Sequence, residues 1–206
     1  MMPDAAGWDA LRLSLLVGVT ATLAGVPLAT WVAWLLARGQ FRGKGVLNAL
    51  VHLPLVLPPV VTGYLLLLTF GRTGPVGQFL ENTFGLLLAF RWTGAALAAL
   101  VMAFPLMGRA IRLAIEAVDP RLEAAARTLG APGWAVFRTV TLPLILPGSL
   151  AGAVMGFAKA IGEFGATITF VANIPGQTQT LPSAIYALLQ VPGGETAAAT
   201  LVLWAC

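Results

Sequence analysis

Between residues 11 and 36 the chain carries a single charge, Arg12, at the outer end of the run. A stretch of that length and apolarity can cross a hydrocarbon core of roughly 30 Å with some tilt. It follows an acidic start, Asp4 and Asp9, with no basic region ahead of it and no short apolar core leading to a cleavage site. That pattern reads as a span and not as a cleaved signal peptide. The composition agrees: 58% of residues are hydrophobic and 10% charged, where roughly 25% charged is usual for soluble domains. The sequence predicts an all-α integral membrane protein, a polytopic transmembrane helical bundle forming one domain over residues 1–206.

Further spans are expected at residues 46–70, 93–115 and 144–172. The second carries Pro54, Pro58 and Pro59 in its first half, where lost backbone hydrogen bonds must be made good by neighbours, so a broken or kinked, protein-facing helix is expected there. Residues 71–92 are mixed in character, and the short apolar run at 85–90 is placed at a membrane interface. A fifth apolar run, residues 197–206, is too short to cross a bilayer. The expectation is either a half-span or a truncated chain whose full form has five spans.

Eight of the twelve basic residues fall in two stretches, 38–44 and 109–138, while residues 173–195 contain no Lys or Arg. The positive-inside rule puts both basic stretches in the cytoplasm and the N-terminus outside. This clustering between apolar runs, more than the net charge of +4, sets the partner class: membrane lipid and no nucleic acid. One histidine, His52, and one cysteine, Cys206, exclude a disulfide framework within the chain and the usual His or Cys ligand sets for haem or zinc. His52 is read as a packing or interfacial residue.

Within the loop at residues 116–143, Asp119 and Pro120 supply an N-cap and a first-turn proline, and Gly130 suits a left-handed C-terminal cap. A helix over 120–129 follows, then a turn through Pro132 and Gly133 and a second segment ending at Pro143. Leu122, Ala125, Ala126 and Leu129 share one face, with Arg121 and Arg127 away from it. Such a helix either lies on the membrane surface or fits a protein groove. Its mostly alanine face, which a partner can approach closely, favours the groove.

Those residues resemble the permease subunits of bacterial ATP-binding-cassette importers, whose cytoplasmic loop reads Glu-Ala-Ala, three residues, Gly, nine residues, Ile, one residue, Leu-Pro. Ala125, Ala126, Gly130, Val140, Leu142 and Pro143 match in register; Ala124 stands at the Glu position, Glu123 lies one residue early, and Val140 replaces Ile. The resemblance implies that Glu123, Ala125, Ala126, Arg127, Gly130, Val140, Leu142 and Pro143 belong to a coupling loop that docks on an ATPase subunit. The segments around Gly162-Glu163-Phe164-Gly165, Asn173-Ile174-Pro175-Gly176 and Thr180-Leu181-Pro182-Ser183 are similar to the molybdate branch of the family, with the sulfate branch diverging beyond Thr167. This implies two copies of an ATPase carrying ATP and Mg, a periplasmic or extracellular molybdate-binding protein, a homodimer of the permease, molybdate or tungstate as cargo, and the bacterial plasma (inner) membrane. No cofactor is expected in this chain. It lacks a Gly-rich loop ending in Gly-Lys-Ser or Gly-Lys-Thr and so is not itself an ATPase of that kind.

Lys159 and Glu163, four residues apart in the fourth span, admit two readings: a pair lining or gating an anion path, or a mutually neutralising buried pair. Thr167, Thr169 and Asn173 offer donors to an oxyanion, although threonine also bonds its own helix backbone. Gly148, Gly152 and Gly156 recur every fourth residue, fitting close packing either within the subunit or between subunits. The rivals are a sulfate or tungstate permease of the same class and an ion-coupled carrier. The carrier predicts an internal repeat and an unpaired mid-membrane carboxylate, and neither is found in the sequence.

Overall fold

The computed structural model describes residues 5–205; Asp4 and Cys206, both used above, lie outside the described residues. Its elements are α-helices joined by short turns, with no strand among the described residues. The first helix, α1 (Ala5–Arg38), has 34 residues and so is about 51 Å long, more than the hydrocarbon core requires. Its buried positions are mostly small (Gly7, Ala10, Ser14, Gly18, Ala21, Gly25, Ala29, Ala33) and recur every three or four residues. That stripe lets α5 (Trp92–Ala117) lie close alongside: a Cβ on Gly25 would stand 2.5 Å from Met107 Cε.

The central helix is α5. Met102, Met107, Ile111 and Ile115 on it are almost fully enclosed by α1 on one side and α8 (Leu142–Ile161) on the other, with Ile145, Phe170 and Val171 completing the core. The glycine repeat of α8 is spent inside the subunit: Gly148 faces Ala114, and Gly152 and Gly156 face Met107. The outward face of α8 is apolar and exposed at Leu146, Leu150 and Val154.

Three described helical stretches are long and apolar enough to cross a membrane: Ala5–Arg38, Trp92–Ala117 and Gly133–Ile161. The expected second span is two helices, α2 (Lys44–Val56) and α3 (Pro59–Phe70), bent by 118°. The break falls at Leu57-Pro58, where Pro58 and Pro59 cannot donate to the preceding turn. The expectation that the first half faces protein is not met within one chain, since α2 buries none of its residues. Residues 71–92, read as mixed in character, contain α4 (Pro75–Phe84), capped by Gly85, which opens the short run 85–90 expected at an interface.

Two further boundaries differ from the sequence reading. The second loop segment does not stop at Pro143: α6 (Pro120–Thr128) is followed by α7 (Gly133–Val136), a π turn at Phe137–Thr141, and α8 without interruption. The helix expected to form the fourth span stops at Ile161, not residue 172. A break through Gly162 and Phe164 separates it from α9 (Gly165–Val171), which packs on α3. Residues 173–195 hold α10 (Leu181–Leu189), and α11 (Glu195–Ala205) closes the described chain. Ser14 Oγ accepts the Leu181 N–H at 2.7 Å, fastening α10 to α1.

Candidate functional site

Both ends of α6 form as local chemistry dictates. Asp119 caps the start, its carboxylate accepting the Arg121 N–H at 2.9 Å, and Pro120 follows at a position that needs no donor. At the other end Gly130 has φ +83°; its N–H reaches the Arg127 carbonyl and the Ala131 N–H reaches that of Ala126, the paired bonds of a left-handed helix stop. No residue of α6 is buried. Leu122, Ala125 and Leu129 are exposed, Leu129 at 88%, and Ala126 is half-buried, so most of the predicted face is uncovered by the rest of the chain.

Glu123 turns the other way. Its Oε1 accepts from Thr141 Oγ1 at 2.9 Å and pairs with Arg38 Nη2 at 3.5 Å. Arg38 Nη2 also donates to the Val118 carbonyl at 2.9 Å. One carboxylate thus ties α6 to the last turn of α1 and to the π turn leading into α8. The acid displaced by one position from the family pattern joins the loop to the bundle and leaves the exposed face to alanine and leucine.

The π turn explains why Pro143 fails to end the helix. Proline removes one backbone donor and crowds the preceding turn; widening that turn to i→i+5 bonding, with the Leu142 N–H on the Phe137 carbonyl, takes up the misfit. Val140 is half-buried in this turn, Leu142 and Pro143 are exposed just beyond it, and Arg127 is exposed across from it.

The second cluster lies at the α8/α9 break. Glu163 is buried, just past the end of α8 and not on its face. Oε2 accepts from Lys159 Nζ at 2.6 Å and Oε1 from the Ala166 N–H at 3.0 Å. The carboxylate therefore joins the last turn of α8 to the first turn of α9, where free N–H groups favour an anion. Lys159 remains about one-third exposed. This break adjoins the other: a Cβ on Gly165 would stand 2.8 Å from Pro59 Cβ, and one on Gly63 would stand 2.5 Å from the Ala166 carbonyl oxygen. Two interrupted helices meet, with α3 and α9 at backbone distance.

Thr167 donates to the Glu163 and Phe164 carbonyls and Thr169 to that of Gly165, the local bonding that threonine adopts in helices. Asn173 Nδ2 reaches the Ser183 carbonyl at 3.4 Å, while its buried Oδ1 has no partner. Asn173 follows Ala172, whose φ of +63° and ψ of −167° are otherwise a glycine conformation; the buried Thr178 hydroxyl holds this turn through the Val171 carbonyl and the Ile174 N–H.

Residues 25–206 match the family described as "Binding-protein-dependent transport system inner membrane component". The chain belongs to that family. Its relatives include the Molybdenum transport system permease protein ModB of Escherichia coli (strain K12), 59% identical over 196 residues, covering 95% of this chain and 86% of that protein. ModB of Haemophilus influenzae is 58% identical over 96% of this chain and 86% of its own length. The Sulfate transport system permease protein CysW of Synechococcus elongatus is 40% identical over 84% of this chain and 60% of that protein. Among solved structures, a bacterial ABC transporter involved in importing the acidic polysaccharide alginate superposes with a TM-score of 0.78 at 19% identity, covering 98% of this chain and 74% of that one. The shared fold is that of ABC transporter permeases, and this inner membrane component is an integral transport subunit distinct from the ATPase.

In this inner membrane component, sequence reasoning missed Arg38, Thr141 and Thr62. Arg38 and Thr141 lie 85 and 18 residues from the carboxylate they bind, so no local spacing links them. Thr62, on α3 beside the α9 contact, is buried, and its hydroxyl has no partner among the described residues. Its only sequence signal is a polar residue in an apolar run. His52 is bonded to the Asn48 carbonyl, and Asn48 in turn accepts from Arg112, which pairs with Glu116; this network joins α2 to α5.

Proposed function

We propose that this chain is the membrane-spanning subunit of an ATP-driven molybdate importer, one transmembrane domain over residues 1–206. The observation that carries the reading is the near end-to-end likeness to ModB, which includes both the loop and the α8/α9 break. In this reading the basic loops face the cytoplasm, the N-terminus faces outward, and two copies enclose the path between them. Two ATPase subunits holding ATP and Mg dock on α6, and an external binding protein delivers the oxyanion. Tungstate has the same shape and charge and shares the route.

Coupling follows from the Glu123 tie. The ATPase groove grips the exposed face made by Leu122, Ala125, Ala126 and Leu129. Because Glu123 is bonded to both Arg38 and Thr141, a displacement of α6 pulls on α1 and on the entrance to α8 together, where an untethered loop would absorb the motion. Arg127, Gly130, Val140, Leu142 and Pro143 shape the same element. The far end of α8 is Lys159 and Glu163, so the stroke arrives at the paired helix breaks. There Lys159 supplies positive potential to a dianion that would otherwise face a large desolvation cost. Thr167, Thr169 and Asn173 line the same region.

The test is ATP hydrolysis by the permease with its ATPase and binding protein in liposomes, with molybdate, tungstate, sulfate or no anion. The expected outcome is stimulation by molybdate and tungstate that is lost in Gly130→Val, a β-branched residue at φ +83°. Stimulation by sulfate alone assigns the chain to the CysW-like branch. Failure to associate with any ATPase removes the importer reading.

A further inference from the structure

Beside α6, between the last three turns of α1 and the segment from α7 to α8, lies an open groove of about 760 Å³. Pro27, Trp31 and Trp34 on α1 form one wall, with Phe137 and Leu142 on the other. Its Arg38 end opens into a second, polar cavity of about 290 Å³ that shares Trp34, Phe137 and Arg127 and adds Arg38, Glu123 and Thr141. The combined space is apolar along the span and cationic at its end.

We propose that this space is a binding site for one anionic phospholipid, its acyl chains along Pro27, Trp31 and Leu142 and its phosphate between Arg38 and Arg127. Five observations converge on that occupant. The apolar part runs along α1 for about 10 Å from Pro27 to Trp34, at the depth of a span, where lipid is the available solvent and a water-soluble partner does not reach. Arg38 lines the polar cavity, and of its guanidinium nitrogens only Nη2 is engaged among the described residues; a phosphate is the acceptor a guanidinium fork fits best. Arg127 is exposed and has no side-chain partner among the described residues. The one acid present, Glu123, is already held by Arg38 and Thr141, so nothing is left to receive the ammonium of a zwitterionic headgroup. Three tryptophans, Trp31, Trp34 and Trp134, gather at this end, as aromatic residues do at the membrane–water boundary. Basic pockets between spans recognise anionic headgroups in this way. The inference requires only that α1 lies in the membrane and is independent of whether α6 docks an ATPase.

The same tryptophans report occupancy. The full chain is placed in phosphatidylcholine nanodiscs carrying brominated phosphatidylglycerol or, at equal mole fraction, brominated phosphatidylcholine, and tryptophan quenching is titrated. The expected result is half-quenching at a mole fraction about fivefold lower for phosphatidylglycerol, the preference that one arginine near a membrane surface contributes. Arg127→Gln should remove most of that preference and Arg127→Lys should keep it. Equal quenching by the two lipids overturns the proposal, as does a preference that survives in Arg127→Gln. A quenching difference that disappears when the ATPase subunit is added assigns the groove to protein and likewise overturns it.

Discussion

Glu123 and Glu163 perform the same operation at opposite ends of one rod. Each carboxylate accepts from a cation with one bond and from another helix with a second: Arg38 and Thr141 for Glu123, Lys159 and the Ala166 N–H for Glu163. The difference is reach. Glu163 closes a local circuit of eight residues, 159–166, whereas Glu123 bridges 85 residues back to α1 and 18 forward to the π turn. The short circuit is buried and tight, 2.6 Å to its lysine; the long one is partly exposed and loose, 3.5 Å to its arginine. The first holds a broken helix in shape, and the second makes separate elements move together.

The comparison predicts different losses on mutation. The largest is Glu163→Ala, which strands Lys159 and the Ala166 N–H. Removing one partner of a buried pair costs about 3 to 5 kcal/mol, reduced toward the lower figure by the partial exposure of Lys159. Thermal unfolding in detergent should show a marked drop, and an unchanged midpoint would mean the break is held by packing alone. Next is Gly63→Ala, whose methyl meets the Ala166 backbone; overpacking of this kind costs about 1 to 3 kcal/mol, and uptake should fall with stability. Glu123→Ala removes a looser pair and should cost about 1 kcal/mol. Its distinguishing effect is on molybdate transported per ATP, which should fall while ATP hydrolysis persists; equal losses of both would make Glu123 merely structural. Thr141→Val, which leaves the Arg38 pair intact, should lie below Glu123→Ala on both measures, at roughly 0.5 to 1 kcal/mol.

The same division of local and distant contacts explains what could be read from the sequence. The α6 boundaries were legible because Asp119, Pro120 and Gly130 specify them within a few residues. The Lys159–Glu163 pair was visible from its spacing of four, and the proline break of the second span from Leu57-Pro58-Pro59. The α8/α9 break was not: Gly162 and Gly165 fall inside a stretch read as one continuous span, and the close approach of Gly165 to Pro59 on another element has no sequence signal. Pro143 misled because a proline usually ends a helix, and a π turn is not encoded by any single residue. The Arg38–Glu123 contact has no periodic signal at all. The start of α10 did have one, Thr180 followed by Pro182 in its first turn, but it lay in a stretch used for its lack of Lys and Arg.

The π turn at Phe137–Thr141 sets an angular offset along the rod. It holds one residue more than an α turn, and each residue of an α-helix advances about 100°. The face that α7 offers at Trp134 is therefore rotated by about that angle from where an unbroken helix through α8 would place it. The packing of Ile145, Ser149, Gly152 and Gly156 against α5 is fixed by one phase, and the orientation of the loop by another. Regularising residues 137–141 to α geometry without changing their number would leave every side chain of α8 in place and turn Trp134 about a quarter of the way around the axis, whereas deleting one residue there would close the π turn and leave Trp134 facing nearly as it does.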